Sequence, residues 1–169
     1  MRESVYQACS DVLGLRQWVE QQQKVATGAG CFWLPIVLTP KGPLYGEAIG
    51  LVDRFADADE LKFSTNSLSE DLALPKGVKT QYRQPVHLPD NIRQPLYQLG
   101  YRLLQFLSAP PATYLLQFGF QEEDIVFDRL WPFPAAPAIA SIGVQEPDLF
   151  ACHWYCLTGK LILDLTISS

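Results

Sequence analysis

Ala112-Thr-Tyr-Leu-Leu-Gln-Phe-Gly-Phe120 and Ile125-Val-Phe-Asp-Arg-Leu130, joined by Gln121-Glu-Glu-Asp124, are the stretch on which the fold turns. β-Branched and aromatic residues enrich both runs and the connector has hairpin length, so the spacing predicts two antiparallel strands. Upstream, Ser108-Ala-Pro-Pro111 stops the clearest helix of the chain. Its stripe of Ile92, Leu96, Leu99, Leu103, Phe106 and Leu107 recurs at spacings of four and three, and Asp90 is placed to accept the free amides of its first turn. Pro95 lies near enough to the start to be tolerated. Downstream, Pro132, Pro134 and Pro137 force an irregular, rigid segment. Pro147 suits the opening turn of a further helix that runs to about Leu157 and ends at Gly159. Leu161, Leu163, Leu165 and Ile167 then alternate with Ile162, Asp164 and Thr166, the pattern of a last strand.

Farther upstream, Thr80–Val86 reads as a strand closed by His87-Leu-Pro-Asp90. Residues 53–78 turn to Asp, Ser, Asn, Lys and Glu and are expected to form an exposed acidic and polar excursion. Cys31–Thr39 and Leu44–Val52 flank Pro40-Lys-Gly-Pro43 as a second hairpin. Residues 3–26 are helical by their stripe of Val5, Cys9, Val12, Leu13, Leu15, Trp18, Val19 and Val25, with a bend expected at Gly14. Thr27-Gly-Ala-Gly30 stops that helix. It lacks a following Lys-Ser/Thr and leads into a strand, so it reads as a turn and not as a phosphate-cradling loop. The order helix, hairpin, excursion, strand, long helix, hairpin, helix, strand is that of an α+β fold with a largely antiparallel sheet and packed helices. One domain is expected over residues 1–169, with residues 1–28 as its N-terminal helical segment.

At 169 residues, with 48% hydrophobic and 18% charged, the chain is sized for one compact core and is too apolar for disorder. Its longest apolar runs, Cys31–Leu38 and Tyr114–Phe120, fall well short of the roughly 20 residues that span a bilayer, so no membrane insertion is expected. Scattered charges in the first twenty residues argue against a secretory signal. A cytoplasmic location with four free thiols follows as the expectation. A net charge of −5 without a basic stripe argues against a nucleic-acid partner.

Candidate chemistry is sparse. Cys152, His153 and Cys156 could begin a metal site, but on a helix both thiols share one face while the imidazole points elsewhere, and Cys9, Cys31 and His87 are isolated. Buried small thiols are the simpler reading. Asp53, Asp57, Asp59 and Glu60 lack the alternating ligands and central Gly of a calcium loop. Glu122, Glu123 and Asp124 read as solvated turn charges, and no nucleophile can be paired with His153. No catalytic residue and no cofactor is expected. Trp131, Pro132, Phe133, Pro134 and Pro137 are different, because rigid apolar groups lose little entropy on docking. If exposed they make a partner-binding patch; the alternative is burial beneath the following helix.

Several strings resemble the C-terminal lobe of the ATP-grasp superfamily, most nearly carboxyaminoimidazole ribonucleotide synthetase. Gln84-Pro-Val-His-Leu-Pro89 precedes the long helix as a Pro-Ala-Pro-Leu-Pro opening does there. Tyr114–Phe118 and Asp128-Arg-Leu-Trp-Pro-Phe-Pro134 occupy the places of two acid-bearing strands and a Pro-Arg-Pro string. Phe150-Ala-Cys-His153, followed by Gly159, resembles the family's Phe-x-x-His. The resemblance covers roughly Phe32 to Leu163. It implies magnesium-bridged phosphoryl transfer, which needs acids on those strands. The first acid position falls on Gln117, the second on Arg129, and the Arg of Pro-Arg-Pro on Phe133. Asp128, one residue away, is expected to face the other side of its strand. The expected function is therefore a non-catalytic protein-interaction, assembly or regulatory factor on an ATP-grasp-like scaffold whose active site has degenerated. One part of a split ligase completed by a partner chain, or a small metal- or ligand-binding module, are the alternatives. The Gln-, Leu- and Pro-rich texture resembles that of small cytosolic proteins of cyanobacteria.

Overall fold

The computed structural model describes residues 4–52 and 81–168. The acidic excursion expected over 53–78, with the residues weighed for calcium, lies outside them.

Two short helices open the chain, α1 (Val5–Ser10) and α2 (Val12–Trp18), followed by a π-helical turn over Val19–Gln23. The bend expected at Gly14 falls at Asp11. The Asp11 carboxylate accepts the Gly14 amide at 3.0 Å, so it caps α2 and separates it from α1. Val5, Cys9, Leu15 and Val19 are buried, whereas Leu13, expected on the same stripe, is 78% exposed. Lys24, at φ 58°, ends the helical segment. Thr27-Gly-Ala-Gly30 is accordingly more than a turn. β1 (Ala26–Thr27) joins the main sheet, and a Cβ on Gly30 would lie 2.2 Å from the Phe118 carbonyl group, so only glycine lets the chain cross the sheet there.

The first hairpin is β2 (Phe32–Thr39) with β3 (Gly42–Tyr45), and β4 (Ala48–Val52) returns to pair with the start of β2. β5 (Gln81–Val86), the long helix α3 (Asp90–Phe106), and the hairpin of β6 (Ala112–Gln121) and β7 (Asp124–Trp131) follow close to expectation. Pro89, not Asp90, is the capping position of α3; Asp90 pairs with Arg93 one turn on. Phe106 is half exposed yet stacks on Trp18 at 4.4 Å, tying α3 to α2. A 3-10 turn over Ala136–Ser141 and a short β8 (Gln145–Glu146) lead to α4 (Leu149–Thr158). Asp148 caps α4 by accepting the Ala151 amide at 2.9 Å, so Pro147 stands before the helix and not in its first turn; Gly159, at φ 74°, ends it.

The C-terminal strand is the largest departure. Only β9 (Thr166–Ile167) pairs, with β8, and the faces are inverted: Ile162 is buried while Leu161 and Leu163 are exposed. With no long strand beside it among the described residues, that segment follows the surface that buries Ile162.

Among the described residues the main sheet runs β1-β7-β6-β2-β4-β5, with β3 beside β2, and only the β1–β7 contact is parallel. Phe32, Leu34 and Ile36 of β2 join Leu116, Phe118 and Phe127 in a core beneath α1, α2 and α3. Trp33 and Val37 point to the second core, shared with Ile49, Leu115 and the Leu149, Cys152 and Cys156 face of α4. Alternate residues of β2 thus bury on opposite sides, which is why its sequence is an almost unbroken apolar run. Each fully buried side chain of this kind contributes about 1.5–3 kcal/mol.

Candidate functional site

The β6–β7 hairpin brings together the positions that the resemblance implies for metal-binding acids. Gln117 stands directly opposite Arg129, and Phe118 opposite Phe127, so Asp128 is the extra residue of a β-bulge. A bulge breaks strict alternation, and Asp128 does not simply turn away from the Gln117 neighbourhood as expected. Its carboxylate is buried. Oδ2 accepts the Gly30 amide at 2.9 Å, and Oδ1 accepts Nη2 of Arg16 at 2.7 Å, with Nε of Arg129 at 3.4 Å. Arg16 also donates its Nε to the Asp128 carbonyl at 2.9 Å, so the guanidinium clasps both the side chain and the backbone of the bulge.

Gln117 meets the same glycine from the other strand. Its Nε2 donates to the Gly30 carbonyl at 2.7 Å, and its Oε1 accepts Nε1 of Trp131 at 2.9 Å. The Gly30 residue therefore bridges Asp128 and Gln117, one through its amide and the other through its carbonyl. Arg129 lies over the Trp131 ring, 5.3 Å from its centroid. Among the described residues, no three His, Cys, Asp or Glu side chains come together as a metal-binding group.

The Trp131–Pro137 segment divides. Pro132 and Pro137 are buried, Trp131 and Pro134 are half-buried, and Phe133 is 40% exposed with its ring edge-on to Trp131 at 6.0 Å. The two prolines that are buried hold the segment down, leaving Phe133, Pro134 and part of Trp131 at the surface. On α4, Cys152 and Cys156 face the core, and burial pushes the Cys152 thiol up to about 12. His153 accepts the Thr113 amide at Nδ1, 3.2 Å away, and burial holds its pKa below the usual histidine value. The imidazole thus serves β6 and leaves the thiols without it.

Sequence reasoning missed Arg16 and Gly30 as members of this cluster. Neither carries a local signal for the role, since each reaches Asp128 across about a hundred residues. It also missed a buried amide pair: Gln84 donates to Gln145 Oε1 at 3.1 Å and to the Glu47 carbonyl at 2.8 Å.

Neither a protein-family model nor a curated protein matches the chain. Solved structures do. Glycinamide-RNase-transformylase T from Mycobacterium tuberculosis is similar at TM-score 0.68 and 17% identity, over 97% of this chain and 53% of that one. N5-carboxyaminoimidazole synthetase from Staphylococcus aureus complexed with ADP is similar at TM-score 0.59 and 10% identity, over 84% and 32%. N5-carboxyaminoimidazole ribonucleotide synthetase from Thermus thermophilus is similar at TM-score 0.58 and 12% identity, over 80% and 32%. The fold is ATP-grasp-like, and the chain spans about half the length of the first of these structures and a third of the other two.

Proposed function

We propose that this ATP-grasp-like chain is a protein-binding unit that does not transfer phosphoryl groups. The observation that carries the reading is the commitment of the Gln117 amide and of the neighbouring Asp128 carboxylate to partners within the chain. The Gln117 amide is bonded at both ends, and the single carboxylate, Asp128, is flanked by two guanidiniums and a backbone amide. The local formal charge of Arg16, Arg129 and Asp128 sums to +1, so a divalent cation would be repelled where the reaction needs one held. These residues do not fit a magnesium ion. Without it, no metal bridges the phosphates of a bound triphosphate at the hairpin, as the transfer requires.

A binding role draws support from the surface beside that cluster. Phe133 and Pro134 are presented by a segment that Pro132 and Pro137 anchor, and the Trp131–Gln117 hydrogen bond fixes the ring behind them. An apolar group held rigid in this way loses little entropy when a partner covers it. The partner is another protein that offers a complementary apolar surface.

Titration calorimetry with magnesium-ATP tests the first half, and no heat of binding is expected. Capture of the partner by the intact chain, compared with Phe133→Ala combined with Trp131→Phe, tests the second. Retained capture by the folded double variant removes the patch, and saturable magnesium-ATP binding by the chain alone removes the non-catalytic reading.

A second reading rests on the likeness to a solved synthetase complexed with ADP: one part of a split ligase completed by a partner chain. That reading requires nucleotide binding to emerge when the partner chain is added.

A further inference from the structure

We propose that two copies of this chain associate through Lys160-Leu-Ile-Leu-Asp164, paired antiparallel about Ile162, with the outer face of α4 extending the contact. Trp131 packs on the same core cluster as Ile162, but the residues tested here, Lys160, Leu163 and Asp164, are not those of the Trp131–Phe133 patch, so the failure of one proposal is distinguishable from the failure of the other.

α4 carries apolar side chains on its outer face as well as its inner one. Leu149, Cys152 and Cys156 bury on the sheet, while Phe150, Trp154 and Leu157, at spacings of four and three, are 40%, 65% and 57% exposed. No residue from Leu149 to Thr158 is charged. A helix with that pattern is ordinarily covered on both sides. The chain leaves it at Gly159 and continues with Leu161 and Leu163 exposed at 57% and 79% on either side of the buried Ile162, the period of a strand. Yet no backbone hydrogen bond joins Leu161, Ile162 or Leu163 to another described residue, and pairing resumes only at β9. A strand-patterned segment with open backbone groups and apolar side chains is a template for another strand.

Charge selects the occupant. Lys160, Ile162 and Asp164 read nearly the same in both directions apart from charge sign, and Leu161 and Leu163 flank the centre symmetrically. Antiparallel pairing of two copies about Ile162 places Lys160 opposite the other copy's Asp164, twice, and Leu161 opposite the other copy's Leu163, twice. Shifting the centre to Leu163 sets Ile162 against a carboxylate and Lys160 against Thr166, which forfeits both ion pairs. The interface is self-complementary, as a two-fold contact must be. A contact of one five-residue strand from each copy, extended by one helix face, is small for a specific interface and makes a concentration-dependent dimer and not a permanent one.

Sedimentation velocity on the full chain, from about 1 to 500 μM, reads the association directly. A monomer–dimer equilibrium is expected. Leu163→Asp should weaken it by about tenfold or more, since two carboxylates then face apolar partners in each dimer. Lys160→Glu and Asp164→Lys should each weaken it by about three- to tenfold, and the double variant should restore it to within about twofold. Lys160 also lies over the Tyr155 ring at 4.4 Å, and recovery in the double variant separates the intermolecular pair from that internal contact. Far-UV circular dichroism establishes that each variant is folded. A chain that stays monomeric over the whole range, a dimer indifferent to Leu163→Asp, or a charge swap that fails to restore association each overturns the proposal.

Discussion

Replacing Asp128 with asparagine separates a structural carboxylate from a metal-binding one. In the wild type, Oδ1 receives Nη2 of Arg16 at 2.7 Å and, more weakly, Nε of Arg129 at 3.4 Å, while Oδ2 receives the Gly30 amide at 2.9 Å. Asparagine offers a single acceptor oxygen, and its amide nitrogen repels whichever donor it meets. A hydrogen bond to a charged group contributes about 1.5–3 kcal/mol, and a buried donor left alone costs a similar amount. The Arg16 side chain retains 26% exposure, so water recovers part of its loss, whereas the Gly30 amide is buried and has no such recourse. The net cost for Asp128→Asn is about 2 kcal/mol, a fall of about 4–8 °C in melting temperature for a chain of this size. Urea denaturation measures it. A double-mutant cycle with Arg16→Met should return a coupling of about 1–2 kcal/mol, because the two groups share one interaction. A metal site behaves in the opposite way: the empty site gains stability when a ligand carboxylate is neutralised, and magnesium raises the midpoint of the wild type. A midpoint within about 0.5 kcal/mol of wild type in Asp128→Asn, or a rise on adding magnesium, refutes the argument.

Gly30→Ala should cost about 3 kcal/mol, the upper end for overpacking, because the added Cβ meets the Phe118 backbone at 2.2 Å and no side chain can move aside; thermal denaturation reads it. His153 should give the fold a pH dependence. Its folded pKa is lowered from 6.5 mainly by desolvation, so the unfolded chain binds the proton more readily. The contribution is full above about 6.5 and is lost as pH falls from there through the folded value, and His153→Gln, compared with wild type in chemical denaturation from pH 7.5 to 5.5, should abolish that component. Burial pushes Cys9 up to about 11 and Cys152 up to about 12 and raises Cys31 and Cys156, so all four thiols should resist iodoacetamide at pH 8 for minutes and react within minutes in denaturant, as mass spectrometry will register.

Local pattern carried most of the architecture. The stripe from Ile92 to Leu103 and the two runs around Gln121–Asp124 specify a helix and hairpin through nearest-neighbour chemistry, and both formed within a residue or two of expectation. Asp11 overrode Gly14 because a capping carboxylate decides where a helix starts, while a glycine only weakens one. The alternating Leu161, Leu163 and Leu165 showed that a strand could form; whether it pairs depends on a neighbour that the described residues supply only at β8. The candidate site was legible at Gln117, Asp128, Arg129 and Trp131 and illegible at Arg16. A guanidinium 112 residues from its carboxylate leaves no spacing to read. The bulge at Asp128 was equally hidden, since nothing in Phe-Asp-Arg-Leu announces an unpaired residue.

A sheet must stop somewhere, and the last strand on each side is a standing invitation to foreign polypeptide. At β7 that invitation is withdrawn by small means. Two residues of β1 and the Gly28 amide take the outward positions at Val126 and Phe127, and the Arg16 Nε occupies the next carbonyl, that of Asp128. A side chain borrowed from α2 thus completes a rim that backbone alone leaves unfinished, and the same guanidinium that quiets the bulge denies a stranger its first rung. Truncating the opening helices should therefore do more than lower stability: it should expose β7 and send the shortened chain into fibrillar or amorphous aggregates.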